Sequence, residues 1–96
     1  MMDDVTIDDF LAGAIKVVQP KSGYRAGIDP ILLAASIPAK SGQTVLELGC
    51  GVGTASLALA HRVAGLNITA VEVQPPYAEL ALRNTNRNNL QLSVVC

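Results

Sequence analysis

Residues 44–54 carry the sequence TVLELGCGVGT, in which a short apolar run passes directly into glycines at alternate positions. The run from Thr44 to Leu48 is typical of a buried strand, and the residues from Thr54 to about Val63 have helical spacing. A glycine-rich turn between a strand and a helix lets backbone N–H groups approach a ligand, and the helix start adds partial positive charge. The stretch therefore predicts a strand–turn–helix unit with a ligand site at the turn.

The same alternation continues downstream. Residues 68–73 form a second apolar segment, residues 75–88 a second helical pattern, and residues 90–95 a third apolar segment. Strands that alternate with helices pair in parallel through right-handed crossovers. We therefore expect an α/β fold in which three parallel strands with crossover helices form half of a doubly wound sheet.

The residues before this core predict a separate prelude. Residues 5–28 are expected to be extended, as a hairpin or a pair of loops. Asp29 and Pro30 then open a helix, in which Asp29 caps free N–H groups and Pro30 fits the first turn. We thus expect two units: residues 1–40 as an N-terminal prelude with a helix, and residues 41–96 as the first βαβαβ half of the domain.

The composition limits the size of the domain, the classes of partner and the roles of the two cysteines. A chain of 96 residues, half of them hydrophobic, supports one small domain, and its net charge of -1 gives no argument for nucleic-acid binding. We expect neither a signal peptide nor a membrane span, because no apolar run is long enough. Cys50 and Cys96 fit neither a disulfide framework nor a zinc cluster, and they indicate free thiols in a reducing cytoplasm.

The glycine spacing excludes two common nucleotide motifs. A dinucleotide fingerprint would place its third glycine or alanine at Thr54 or, counted from Gly51, at Ser56, and neither position fits. No Gly-Lys-Ser/Thr follows the glycines, so the stretch is not a P-loop.

Two acidic residues narrow the choice of ligand. Glu47 lies two residues before Gly49, where a carboxylate would repel a pyrophosphate but suits an ammonium or sulfonium group. Glu72 lies near the end of the second apolar segment, where an acid can accept both hydroxyls of a ribose. Each feature alone has an ordinary structural explanation. Together they describe a nucleoside with a cationic amino-acid arm and no phosphate, which is S-adenosylmethionine.

These motifs resemble a known family. VLELGCGVGT and AVEVQ are similar to the first two motifs of class I S-adenosylmethionine-dependent methyltransferases. Residues 19–34, QPKSGYRAGIDPILLA, are similar to the segment before the core in the tRNA(Val) adenine-N6 methyltransferases, also called small-domain methyltransferases, and Asn84 and Asn88 fit as well. The resemblance covers roughly residues 8–95. It implies a Rossmann-like fold and direct methyl transfer from the sulfonium to N6 of a tRNA adenine, without a metal.

The resemblance also implies which residues contact the cofactor. Glu47 is expected near the amino group of the methionine moiety, and Glu72 at the ribose hydroxyls. Residues 25–29 would contribute to the wall of the methionine pocket, with Gly27 and Asp29 as candidate contacts, although for Asp29 the helix cap is a sufficient explanation. The residues expected to line the methionine carboxylate are Gly49, Cys50, Gly51 and Gly53. Those expected to flank the adenine are Val73 and Gln74.

One stretch imitates a catalytic motif. Residues 74–77, QPPY, resemble the NPPY tetrad that holds the target nitrogen in N6-adenine and glutamine methyltransferases. That tetrad follows the fourth strand, whereas QPPY follows the second and opens a helix. Tyr77 is therefore expected to pack or to border the adenine, and no catalytic residue is assigned.

The chain ends after the third predicted strand. We expect it to be the N-terminal, cofactor-binding part of a protein about two to three times as long. The strand at residues 44–48 would then lack a neighbour, and its apolar edge would favour self-association. Two alternatives stay open: a protein-glutamine or small-molecule methyltransferase, and a truncated nucleotide-binding module without catalysis.

Overall fold

The computed structural model describes residues 4–23 and 25–96, and within them the chain forms five strands and three helices. The elements in chain order are β1 (Val5–Phe10), β2 (Ile15–Pro20), α1 (Asp29–Ser36), β3 (Thr44–Leu48), α2 (Thr54–Arg62), β4 (Asn67–Val71), α3 (Pro75–Arg87) and β5 (Ser93–Val95). No helix among these residues is long and apolar enough to cross a membrane.

The strands β3, β4 and β5 pair in parallel in that spatial order, and this confirms the predicted α/β architecture. In the register, Thr44 lies opposite Asn67 and Leu48 opposite Val71. β4 thus ends at Val71, one residue before Glu72, rather than at residue 73 as expected. β5 is shorter than predicted, since only residues 93–95 pair with β4.

The prelude contains an antiparallel hairpin, one of the two forms that the sequence allows. β1 pairs with β2 from Val5 opposite Pro20 to Phe10 opposite Ile15. The side chains of β2 are mostly buried, and Val17 and Val18 are completely so. They join the same hydrophobic core as the helices, so the hairpin packs as part of the main body of the chain.

The predicted cap of α1 is wrong. The N-cap residue is Ile28, whose carbonyl accepts the Leu32 N–H at 3.0 Å, and no side chain in the described part of the chain caps the helix. The helix therefore begins one residue earlier than a cap at Asp29 requires, and Asp29 lies in its first turn. A negative charge there is still favourable to the helix dipole, although its carboxylate accepts no capping hydrogen bond.

The core lies on one face of the parallel sheet. Side chains alternate between the two faces along a strand. In β3, Val45 packs against the core, whereas Leu46 and Leu48 are 61% and 74% exposed. The completely or almost completely buried side chains of this core include Ile15, Val17, Val18, Leu57, Leu59 and Ile68.

Two asparagines, Asn84 in α3 and Asn88 at its C-cap, hold the hairpin. Asn84 is fully buried, and its Oδ1 accepts the Val18 N–H at 2.7 Å while its Nδ2 donates to the Val18 carbonyl at 2.9 Å and to the Val52 carbonyl at 2.9 Å. One turn later, Asn88 makes the same pair of bonds with the backbone of Lys16. The two amides thus satisfy alternate residues of β2 as a neighbouring strand would.

Candidate functional site

A cavity of about 590 Å³ opens at the carboxyl-terminal edge of the parallel sheet. Ligands of open α/β sheets bind at this edge, where the turns after the strands meet the helix starts. Here the turn between β3 and α2, the turn between β4 and α3, and the first turns of α1 surround the space. The lining residues are Ala26, Asp29, Pro30, Leu33, Glu47, Leu48, Gly49, Cys50, Gly51, Val52, Thr54, Ala55, Glu72, Gln74 and Tyr77.

Most of the site residues predicted from the sequence converge on this cavity. Those on its wall are Asp29, Glu47, Gly49, Cys50, Gly51, Glu72 and Gln74. Three others lie off the wall. The Val73 side chain is 81% exposed, and Gly53 packs against Ala81 of α3. At Gly27, a Cβ would meet no atom of the described residues within 4 Å. Contact of any of these residues with a ligand stays a prediction.

Glu72 connects the two turns. Its side chain is 7% exposed, with Oε1 accepting the Gly51 N–H and Oε2 accepting the Gln74 N–H, each at 2.9 Å. Each carboxylate oxygen can accept a second hydrogen bond. Glu72 can therefore hold both turns in place and still accept two hydroxyl groups from a ligand.

Glu47 is half-buried and oriented by a residue that the sequence did not single out. The Ser56 hydroxyl, on the first turn of α2, donates to Glu47 Oε1 at 2.5 Å. Ser56 is 3% exposed. A small polar residue between Ala55 and Leu57 on a buried helix face was the available signal. The bond leaves the rest of the Glu47 carboxylate for a cationic group in the cavity.

The backbone donors of the glycine turn are used within the protein. The N–H groups of Gly49 and Cys50 both donate to the Val71 carbonyl, at 2.8 and 2.9 Å. The Gly51 N–H donates to Glu72, and the Gly53 N–H donates to the Cys50 carbonyl at 3.0 Å. The turn therefore gives the cavity its shape, while these donors already have partners.

The thiol of Cys50 is not suited to nucleophilic chemistry. Burial, followed by the negative charges of Glu47 and Glu72, raises the pKa of this thiol to about 11. Its Sγ lies 3.5 Å from the Gly51 carbonyl. A thiol with a raised pKa is neutral at neutral pH, and the thiolate is the nucleophilic form. The thiol thus fills space beside the two acids.

The hairpin holds the outer wall of the cavity. Gln19 of β2 accepts the Ala26 N–H at 2.8 Å and donates through Nε2 to Asp8 at 2.8 Å. Arg25 donates to the Pro20 carbonyl at 2.5 Å and forms a 3.1 Å ion pair with Asp8. The hydrogen bond from Gln19, more than the Arg25 charge, lowers the pKa of Asp8. Neither Asp8 nor Gln19 was predicted as a site residue, because a polar strand residue carries no local signal of its partner.

Comparisons with known proteins show the family to which the chain belongs. Residues 25–96 match the family model described as the methyltransferase small domain. A tRNA1(Val) (adenine(37)-N6)-methyltransferase of a Flavobacteriaceae bacterium (strain 3519-10) is 41% identical over 68 residues, which are 71% of this chain and 29% of that protein. The tRNA1(Val) (adenine(37)-N6)-methyltransferase of Haemophilus influenzae is 37% identical over 82 residues, 80% of this chain and 35% of its own length. The chain thus spans about a third of the length of these curated relatives.

A solved structure agrees in fold. The Pyrococcus abyssi tRNA (uracil-54, C5)-methyltransferase, in complex with S-adenosyl-L-homocysteine, superposes with a TM-score of 0.70 at 21% identity, over 95% of this chain and 23% of that one. The likeness confirms the Rossmann-like methyltransferase fold expected from the sequence motifs.

Proposed function

The chain belongs to the methyltransferase small-domain family, and we propose that it forms the cofactor-binding part of an S-adenosylmethionine-dependent methyltransferase. The observation that carries the proposal is the position of Glu47 and Glu72 on the wall of one cavity at the glycine turn. One acid suits a cationic amino-acid arm and the other suits vicinal hydroxyls. Among the described lining residues there is no basic side chain, which favours a ligand without phosphate.

We propose distinct tasks for the residues around this cavity. Glu47, held by Ser56, receives the amino group, and Glu72 receives the ribose hydroxyls. Tyr77 and Gln74 border the adenine, and the glycine turn allows close approach. The proposed contacts are Gly27, Asp29, Glu47, Gly49, Cys50, Gly51, Gly53, Glu72, Val73 and Gln74.

The two units proposed from the sequence would share the site. Residues 41–96, the first βαβαβ half, supply both carboxylates and the glycine turn. Residues 1–40 supply the outer wall, where Ala26, Asp29 and Leu33 line the cavity. Support comes from the bonds of Gln19 to Ala26 and to Asp8, which hold that wall against the hairpin.

The proposed reaction of the whole protein is methylation of N6 of an adenine in tRNA. Bound S-adenosylmethionine supplies an electrophilic methyl group on its sulfonium, and this chain binds and orients the cofactor. Support comes from the relatives named as tRNA1(Val) (adenine(37)-N6)-methyltransferases and from the motif at residues 19–34. Such a substrate would place the protein in the cytoplasm.

Calorimetric titration with S-adenosylhomocysteine tests the cofactor site. The wild-type chain is expected to bind, and Glu72→Gln is expected to bind at least about tenfold more weakly, because hydrogen bonds to a charged group are lost. Glu79→Gln, an exposed carboxylate on α3, is the matched control and should bind like wild type. Circular dichroism confirms that each variant is folded. Absence of heat with wild type, or unchanged affinity in Glu72→Gln, would contradict the proposal.

We also propose that the chain self-associates through β3. Within the described residues β3 pairs only with β4, and Leu46 is 61% exposed on it. Unpaired apolar strand edges favour association. Sedimentation should show oligomers that Leu46→Lys reduces, whereas Leu82→Lys, at a 50% exposed leucine of α3, should leave them unchanged. A stable wild-type monomer would count against this proposal.

A further inference from the structure

We propose that Thr54 and the first turn of α2 bind the carboxylate of the ligand's amino-acid arm, with the Thr54 hydroxyl as a donor. The inference rests on the proposed function and deepens it. The sequence resemblance implied that the glycines contact the carboxylate, whereas we infer that the residues directly after the glycines do so. Thr54 becomes a determinant of specificity for ligands that carry a carboxylate.

The backbone N–H groups of the glycine turn already have partners, whereas those at the start of α2 do not have one in the helix. The N–H groups of Gly49, Cys50, Gly51 and Gly53 all donate within the protein. The first hydrogen bond of α2 runs from the Leu57 N–H to the Gly53 carbonyl at 2.9 Å. The N–H groups of Thr54 and Ala55 therefore precede the ladder of the helix and have no partner in it. Both residues line the cavity.

The Thr54 side chain supports the same subsite independently of the helix end. Thr54 is 3% exposed, and its Oγ1 finds no hydrogen-bond partner among the described residues. It is the one such atom among the buried side-chain oxygens and nitrogens of that part of the chain. A buried hydroxyl without a partner is costly, and in a native structure it calls for a specific explanation. A ligand oxygen at the cavity wall supplies one.

The charges on the cavity wall also favour a carboxylate subsite at the start of α2. The side chains that line the cavity include the acids Asp29, Glu47 and Glu72, and no lysine, arginine or histidine of the described chain lies among them. A ligand carboxylate must therefore be held by neutral donors and by the positive end of a helix dipole. α2 offers both at its first turn.

The covalent structure of an amino acid links this subsite to Glu47. The ammonium and carboxylate groups of an α-amino acid are attached to the same carbon, so their binding sites must be adjacent. Glu47, which is proposed to receive the ammonium group, is bonded to Ser56, two residues after Thr54 on the same turn. An amino group on Glu47 thus brings the carboxylate to the start of α2.

Two ligands and three variants test the inference in the 96-residue chain. The ligands are S-adenosylhomocysteine and its decarboxylated analogue, which keeps the amino group. Thr54→Val should weaken binding of S-adenosylhomocysteine about tenfold and leave binding of the analogue unchanged, since only the carboxylate uses the hydroxyl. Thr54→Ser should restore the preference. Thr85→Val, which removes a buried hydroxyl of α3 bonded to the Ala81 carbonyl, is the matched control and should change neither affinity.

The wild-type protein provides a measurement that does not depend on a variant. It should bind S-adenosylhomocysteine at least about tenfold more tightly than the analogue. Equal affinity for the two ligands, equal affinity of wild type and Thr54→Val, or an equal loss for both ligands in Thr54→Val overturns this inference alone. If the wild-type chain binds neither ligand, the proposed function is overturned together with this inference.

Discussion

The turn between β3 and α2 and the turn between β4 and α3 occupy equivalent places in the fold and offer a ligand opposite groups. Each follows a parallel strand and opens a helix beside the cavity. α2 begins with Thr54 and Ala55, whose N–H groups precede its ladder. α3 begins with Pro75 and Pro76, which have no N–H. The first turn therefore presents donors, and the second presents the Glu72 carboxylate as an acceptor.

Topology thus sets where a ligand can bind, whereas the residues at the helix start set which end of the ligand lies there. The two turns also depend on each other. Glu72 of the second turn accepts the Gly51 N–H of the first, and Asn84 of α3 donates to the Val52 carbonyl. Changes that cut these links should affect both turns, whereas changes within one turn should not.

The largest expected effect comes from Asn84→Leu, which separates α3 from the glycine turn and from the hairpin. The N–H and carbonyl of Val18 and the carbonyl of Val52 would lose their partners. Because each of these three buried groups left unpaired costs about 1–3 kcal/mol, the free energy of unfolding should fall by at least about 3 kcal/mol. Urea denaturation measures it. Asn86→Leu, at an exposed position of α3, should cost less than about 0.5 kcal/mol, and an equal loss in both variants would show that the link is unimportant.

A smaller effect is expected from Gly53→Ala, which strains only the first turn. Gly53 has φ +94°, and a Cβ there would lie 3.5 Å from the Ala81 Cβ, an ordinary contact. The cost is therefore backbone strain of about 1–2 kcal/mol in thermal or urea unfolding. Gly27→Ala is the control, because its Cβ would meet no atom of the described residues within 4 Å and its φ is not positive. A Gly53→Ala protein as stable as the control would rule out strain in this turn.

The smallest expected effect is a shift in the pH dependence of Cys50 alkylation, which depends on how close Glu47 and Glu72 lie to the thiol. In a Cys96→Ser background, alkylation of Cys50 by iodoacetamide should rise with pH toward its pKa of about 11. Removal of a neighbouring negative charge favours the thiolate, so Glu47→Gln should shift the alkylation profile to lower pH, and Glu72→Gln should shift it less. Mass spectrometry follows the modification. Rapid alkylation of Cys50 at pH 8 would show that the thiol is not buried beside the two acids.

The elements and the parallel sheet could be predicted because their signals are local. Apolar runs of strand length alternate with helical patterns, and glycines mark the turn. The convergence of Glu47 and Glu72 was also predictable, since carboxyl ends of parallel strands meet at one edge of a sheet. The end of β4 and the cap of α1 were misplaced by one or two residues, because a single backbone hydrogen bond decides such boundaries.

Partners distant in the chain could not be predicted. Asn84 belonged to what looked like the polar end of a helix, yet it is fully buried, because its amide satisfies a strand 66 positions away. Ser56 and Gln19 were missed for the same reason. Their hydrogen bonds depend on which surfaces pack together, and residue type alone does not contain that information.

The sequence by itself determined the strand–turn–helix units, the family to which the chain belongs and the two acids at the ends of neighbouring strands. Only the tertiary structure decided which donors remain for a ligand. It pairs the N–H groups of Gly49, Cys50 and Gly51 with the Val71 carbonyl and with Glu72, and it leaves the Thr54 hydroxyl without a partner among the described residues. The physical reason is that each polar group takes the partner that packing brings within reach, and packing joins residues that are far apart in the chain.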